Sequence, residues 1–538
     1  MEYLSPQKMS KILFTLLFTV FLAPAFAQVQ PYVDYWDFKT KSIKSKGEYH
    51  KGEKQGKWTY FYQNGQPKEV LNYYKGILNG EAINYYPNGK VETVGFFKYG
   101  SQDSTYKAFY DDGTVAVNGN FKDNKKVGAW DYFYPSAQLR KVVSYSEKFP
   151  EGKIISSFTP NGKKLVVAGS GIHKEYTADG SVKELIGYKE GLEHGDYFQY
   201  YPNGDIHIKG SYSLGKKTGE WISYFANKSV KSVYTYKNGT LDGKCEEYFS
   251  PGKLNFKGKY DLGLKTGDWL WNYPEGKIEM KGQFTDDERS GNWTFYYKNE
   301  QVSSKGNFEF DLKQGLWEYF YSNGQKEMQG SFIDDKRDST WTFLFRTGKK
   351  MQEGEYSKGV ENGMWTSWYE NGNLKDQGSF SQGKINGQWK GNHENGKLKY
   401  EGSWEMEIRN GAWKWYADNG KLKEEGSFKN GKKTGVWKTY DPKSSNLITE
   451  GAYKDDLKTG TWKYFTPYGS LAMEQSFKEG ELNGVTKEYD GKAVIVAKKE
   501  FKNNKLHGET VLYTKGNPSK KMIYEEGSLV KQEVLGNK

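Results

Sequence analysis

Aromatic and polar residues alternate over short stretches of this chain. Trp317, Tyr319 and Tyr321 are interleaved with Glu318 and Phe320, the two-residue period of a β-strand. Such stretches run for about eight residues, a normal strand length, and polar turns separate them. The density of Gly and turn residues leaves no room for a helix. The pattern therefore predicts strands joined by tight turns from one end of the mature chain to the other.

The stretches repeat. Gly411-Ala412-Trp413-Lys414-Trp415-Tyr416 runs through Asn419-Gly420-Lys421 to Glu425-Gly426-Ser427-Phe428, and a lysine-rich turn leads to Gly435-Val436-Trp437. The first glycine of this unit recurs every 24 residues from Gly195 to Gly435, with Ser339 replacing it once. The same register holds from Gly56 to Gly152, with Ser104 replacing it once, and resumes at Gly460, Gly484 and Gly508 after one inserted residue. Twelve of the 17 Trp residues, from Trp58 to Trp462, occupy one position of the unit, so the period governs the fold. Only the step from Gly152 to Gly171 is short, at 19 residues. A bend or sub-array boundary is one expectation there; a degenerate repeat without structural consequence is the other.

Each unit carries two turn signals. Tyr86-Pro87-Asn88-Gly89-Lys90 suits a three-residue hairpin loop with a bulge at the glycine. Lys429-Asn430-Gly431-Lys432-Lys433 is a second, polar turn. One unit is thus one β-hairpin. The predicted fold is all-β: an elongated antiparallel meander of tandem 24-residue hairpins in an open, twisted sheet. If Tyr86 pairs with Lys90, the Trp and Phe positions fall on opposite faces, and aromatic rings line both. The glycine before the aromatic, as in Gly282-x-Phe284 and Gly306-x-Phe308, leaves bare backbone for a neighbouring ring to cover.

Composition agrees. Hydrophobic residues make up 36%, yet 17% of the chain is aromatic, with 43 Tyr and 63 Gly, a bias towards strands and turns. Low aliphatic content with 27% charged residues is a mark of disorder, which the aromatic richness opposes. The net charge of +12 is spread among acidic residues without a basic block, so no nucleic-acid partner is expected. The single cysteine, Cys245, stands where other units have Trp and reads as a small core substitute.

The pattern G-x-W-x-x-Y-Y-x-N-G-K, then E-G-x-F, resembles the MORN-repeat variant over roughly residues 46–538. That family includes YwqK-type antitoxin proteins and exported bacterial proteins. The resemblance implies a scaffold, with toxin neutralisation or lipid contact as family roles. Choline- and glucan-binding repeats share part of the string but differ in repeat length and closing segment.

At the N-terminus, Lys8 and Lys11 precede the apolar run Ile12–Ala23, and Ala25-Phe26-Ala27 reads as a cleavage site before Gln28. Met9 is an alternative start. The expected organisation is a signal peptide at 1–27, an N-terminal cap at 28–45, repeats at 46–150, the irregular repeat at 151–170, and repeats at 171–538. The destination is the periplasm, cell surface or exterior.

No catalytic, cofactor or metal motif is present in the sequence. His50, His173, His194, His207, His393 and His507 are scattered. Asp286-Asp287, Asp334-Asp335 and Asp455-Asp456 recur at one repeat position and read as turn residues. The off-pattern rings Trp271, Trp368, Trp404 and Trp415 are the candidate partner contacts. The expected protein is a non-enzymatic scaffold for a protein partner, a toxin among the candidates. An envelope glycan and an anionic lipid are the alternatives.

Overall fold

The computed structural model describes residues 29–37 and 39–536; the expected signal peptide at 1–27 and its neighbour Gln28 lie outside them. Among the described residues there are 43 strands and no helix. The chain divides between Thr240 and Leu241 into two compact units. Within each, strands pair antiparallel with their chain neighbours to form an open sheet, not a barrel. The all-β hairpin meander expected from the period is the observed fold.

Both turns follow from their residues. At the first, the Gly89 amide donates to the Tyr86 carbonyl at 2.9 Å, and the Tyr86 amide donates to the Lys90 carbonyl at 2.8 Å. Gly89 has φ of +83°, the left-handed conformation that glycine adopts without steric penalty. This is the expected three-residue loop. At the second turn, Asn430 (φ +50°) and Gly431 (φ +81°) lie between the paired Lys429 and Lys432, a two-residue type I′ hairpin. The acidic pairs occupy this loop: Asp286 and Asp287 have φ of +51° and +69°.

One expectation is overturned. Trp317 pairs with Gly330 and Phe332 with Gly315, which places the Trp and Phe positions on the same face. The cause is a bulge beside each three-residue loop. Tyr85 pairs with Val91, but Asn84 pairs with Thr93, so one residue is skipped and side-chain parity inverts. Rings still occur on both faces, because a third aromatic position, represented by Phe320 and Tyr416, points the other way.

The segment expected as a cap contains the strand Gln30–Asp37, paired with Ser42–His50. The irregular stretch contains Lys164–Val167, a four-residue strand between Phe149–Phe158 and Ser170–Tyr176.

Candidate functional site

The core is built on one face of the sheet. The indole of Trp317 lies over Gly306, its Nε1 donates to the Asn307 carbonyl at 3.0 Å, and Phe308 packs edge-on at 5.0 Å. Tyr319 lies at 6.0 Å and Phe332 at 6.2 Å on the other sides. Trp317 is left 1% exposed without a second layer of structure. Trp341 repeats the arrangement over Gly330, with its Nε1 donating to the Ser331 carbonyl at 3.0 Å. The E-G-x-F half of the unit is thus a seat for the next tryptophan.

A cation covers the seat. Lys313 Nζ is 4.5 Å from the Trp317 ring, 5.4 Å from Tyr319 and 5.1 Å from Phe332, and donates to Tyr319 Oη at 2.9 Å. Arg337 lies 4.4 Å from Trp341 and donates to Tyr356 Oη at 3.2 Å. Lys54, Lys126, Lys217, Lys265, Arg409, Lys433 and Lys458 lie over their own tryptophans in the same way. Where the indole is replaced, so is the cation: Ala82, Cys245, Thr486 and Thr510 follow Leu78, Leu241, Leu482 and Leu506 four residues earlier. Trp365 and Trp389 break the rule, with Glu361 and Ile385 at that place. Cys245 is buried and paired with Gly258, and burial pushes its thiol up to about 11. The thiolate that reacts is therefore scarce at neutral pH.

Turns bind consecutive units together. Asp335 Oδ1 accepts from the Lys313 amide at 2.8 Å while the Asp335 amide donates to the Lys313 carbonyl at 3.2 Å. Asp287 with Lys265, and Asp456 with Lys433, do the same. At the other edge, Tyr321 Oη donates to the Leu344 carbonyl at 2.9 Å, and Asn371 Nδ2 donates to the Glu394 carbonyl at 2.8 Å. His393 takes the place of that Tyr, with Nε2 at 3.0 Å from the Tyr416 carbonyl. Among the described residues no three of His, Cys, Asp and Glu converge as metal ligands.

A polar cluster is built from residues on either side of the shortened repeat. Arg140 Nη1 donates to Glu175 Oε1 at 2.9 Å, and buried His173 places Nε2 at 3.2 Å from Glu175 Oε2. Burial works to raise the Glu175 carboxyl, but the His173 hydrogen bond and the Arg140 and Lys141 charges outweigh it and hold it below the usual range.

The four off-pattern tryptophans do not form one site. Trp271 stacks between Trp269 at 5.3 Å and Trp293 at 6.0 Å. Trp415 stacks between Trp413 at 5.5 Å and Trp437 at 5.8 Å, and Trp404 meets Trp413 edge-on at 5.3 Å. These three are half-buried parts of the ladder. Trp368 lies on the opposite face, paired with Leu374 and with Lys350 Nζ at 5.6 Å.

Strongly exposed apolar groups also lie on the type I′ turns, away from the off-pattern tryptophans. Leu262 is 75% exposed and Phe310 71%, each at the first turn position. Two residues further on, Leu264, Leu312, Val360, Ile408 and Leu457 are 38–49% exposed. They alternate, unit by unit, with Glu288, Lys336, Lys384, Lys432 and Glu481. This doubled period was available in the sequence but was masked by the stronger 24-residue one.

These features define a class: a tandem β-hairpin repeat whose units are stitched through their turns. The family described as "MORN repeat variant" matches ten segments, residues 54–75, 78–99, 193–213, 217–238, 265–286, 289–309, 313–334, 361–382, 385–406 and 409–430. No curated protein matches the chain. Among solved structures, the chain is similar to those titled TcdB2-TccC3-TEV (10% identity, TM-score 0.13) and TcdB2-TccC3 (10%, 0.12). The matches cover 90% and 94% of this chain but only 30% and 32% of the solved ones, so it spans about a third of their length. At those scores the likeness carries no argument about function.

Proposed function

We propose that this protein is a non-enzymatic, exported repeat scaffold that binds a protein partner along its type I′ edge. The observation that carries this reading is the set of exposed apolar side chains on hydrogen-bonded turns, above all Leu262, Leu264, Phe310 and Leu312. Large apolar groups held rigidly at a surface lose little entropy on contact and act as anchors in protein interfaces. Charged residues between them supply a polar rim. Neutralisation of a toxin, the role of the YwqK-type relatives implied by the resemblance, is a special case. Export rests on the N-terminal sequence alone.

The test uses the chain from Gln28 as bait in the envelope fraction of its native host, beside a variant with Leu262→Asn, Leu264→Lys, Phe310→Asn and Leu312→Lys. Each substitution installs a residue found at the equivalent position of another unit, such as Asn430 and Lys384, so the turns survive. A stoichiometric protein held by the parent chain and lost by the variant supports the reading. A partner held equally by both overturns the edge assignment. Absence of any stoichiometric protein overturns protein binding and favours a glycan or an anionic lipid.

A further inference from the structure

The ladder face of the second unit carries a row of cations at constant spacing. Lys265, Arg289, Lys313 and Arg337 hold one position in four successive hairpins, paired with Tyr260, Phe284, Phe308 and Phe332. Successive members are two strands apart, about 9.5 Å by ordinary strand spacing. The other positions on this face across these units are Trp, Phe, Tyr, Met, Ser, Gln and Gly, with Ser339 at one glycine position, and include no carboxylate. Two carboxylates meet the row: the turn residue Asp311 lies 2.8 Å from Arg289 Nε, and Glu361, at the same position of the next hairpin, ends the row beyond Arg337. The rings beneath fix the cations in place, as the Tyr319 and Tyr356 hydrogen bonds to Lys313 and Arg337 show.

A row of single positive charges at one fixed interval complements a linear polyanion of the same interval. A nucleic-acid strand is too dense, with one phosphate per about 3.4 Å of rise. An extended glycan with one carboxylate per disaccharide presents its charges at close to the spacing of the hairpins. We propose that this row binds such an acidic polysaccharide, laid along the direction in which the strands stack. The row borders the type I′ edge, with Lys265 and Lys313 following Leu264 and Leu312, but the proposal stands on its charges and spacing and does not rest on the protein-binding reading.

The test is binding of the full chain to hyaluronan oligosaccharides of increasing length, which carry one carboxylate per disaccharide. Neutral chitin oligosaccharides, a single-stranded oligonucleotide and phosphatidylglycerol vesicles are the comparisons. Affinity is expected to rise with length up to four disaccharides and to fall with added salt as screening sets in. Replacing Lys265, Arg289, Lys313 and Arg337 together by Met keeps the rings covered and removes the charge. Binding should then fall roughly tenfold or more, the combined effect of four exposed charge contacts. Replacing Lys257, Lys281, Lys305 and Lys350 on the opposite face by Met should leave it unchanged. The proposal is overturned if hyaluronan does not bind, if neutral chitin binds equally well, or if the opposite-face variant loses as much. Tighter, row-dependent binding of the oligonucleotide or vesicles also overturns it. Should the ladder-face variant fail to fold, the length and salt dependence of the parent chain decide the question.

Discussion

The indole of Trp317 lies directly over the Cα of Gly306, where a Cβ would fall 2.5 Å from Trp317 Cγ and nearer still to Cδ2. Gly47 under Trp58 and Gly426 under Trp437 stand in the same relation. Each hairpin therefore depends on its neighbour for the ring that completes it, which makes stability a sum of adjacent-unit terms.

Gly306→Ala should destabilise its region by about 1–3 kcal/mol, the usual range for an overpacked site. Gly315→Ser is the contrast: Gly315 has open space above it, and Ser339 already adopts φ +58° at the equivalent position. Hydrogen exchange over residues 302–332 should accelerate strongly in the first variant and little in the second.

Asp335 tests the stitching between turns. Asp335→Gly keeps a residue suited to its φ of +61° but removes the acceptor for the Lys313 amide. The loss should be about 0.5–1.5 kcal/mol, the net worth of one hydrogen bond. Exchange of the Lys313 amide itself should rise, while amides two units away keep their protection.

His393 is structural on this geometry, since its ring replaces a tyrosine hydroxyl at the Tyr416 carbonyl. His393→Tyr should preserve or slightly raise thermal stability, and His393→Phe should lower it by about 0.5–1.5 kcal/mol. A melting comparison of the two variants separates this from a role for the imidazole in its own right.

Alkaline pH should unravel the array before it reaches the most resistant phenols. Tyr416, Tyr440 and Tyr489 are pushed up to about 12 by burial and by donating to Glu401, Glu425 and Glu474. An unfolded tyrosine ionises near 10, so above that pH the unfolded chain sheds protons that the folded one retains. Stability is therefore full below about 10 and is lost as pH rises towards 12. Tyrosinate absorbance and circular dichroism followed together should change in one transition within that window. Phenol ionisation with the strand signal intact would contradict the burial.

Much of the fold was legible in the residues. The Asn88-Gly89 and Asn430-Gly431 turns require left-handed backbone, which is a local property of those residues, and alternation along Trp317–Phe320 marks a strand without reference to any partner. The Gly-x-Phe seat was also readable, because only a missing Cβ explains glycine beside an aromatic in a strand. The off-pattern rings were less informative: Trp271, Trp404 and Trp415 differ from the consensus in size but not in place.

By itself, the sequence determined the 24-residue period, the hairpin unit, both turn sites and the open all-β class, because each depends on contacts within a few residues. Tertiary structure alone decided which face holds the core. A one-residue bulge between Tyr85 and Phe97 inverts side-chain parity, and a bulge is a property of two paired strands rather than of either one. It also decided that Lys313 lies over Trp317, Tyr319 and Phe332, and that Asp335 closes on Lys313, since the last of these contacts joins different hairpins. Such groups meet only when neighbouring strands stack in register.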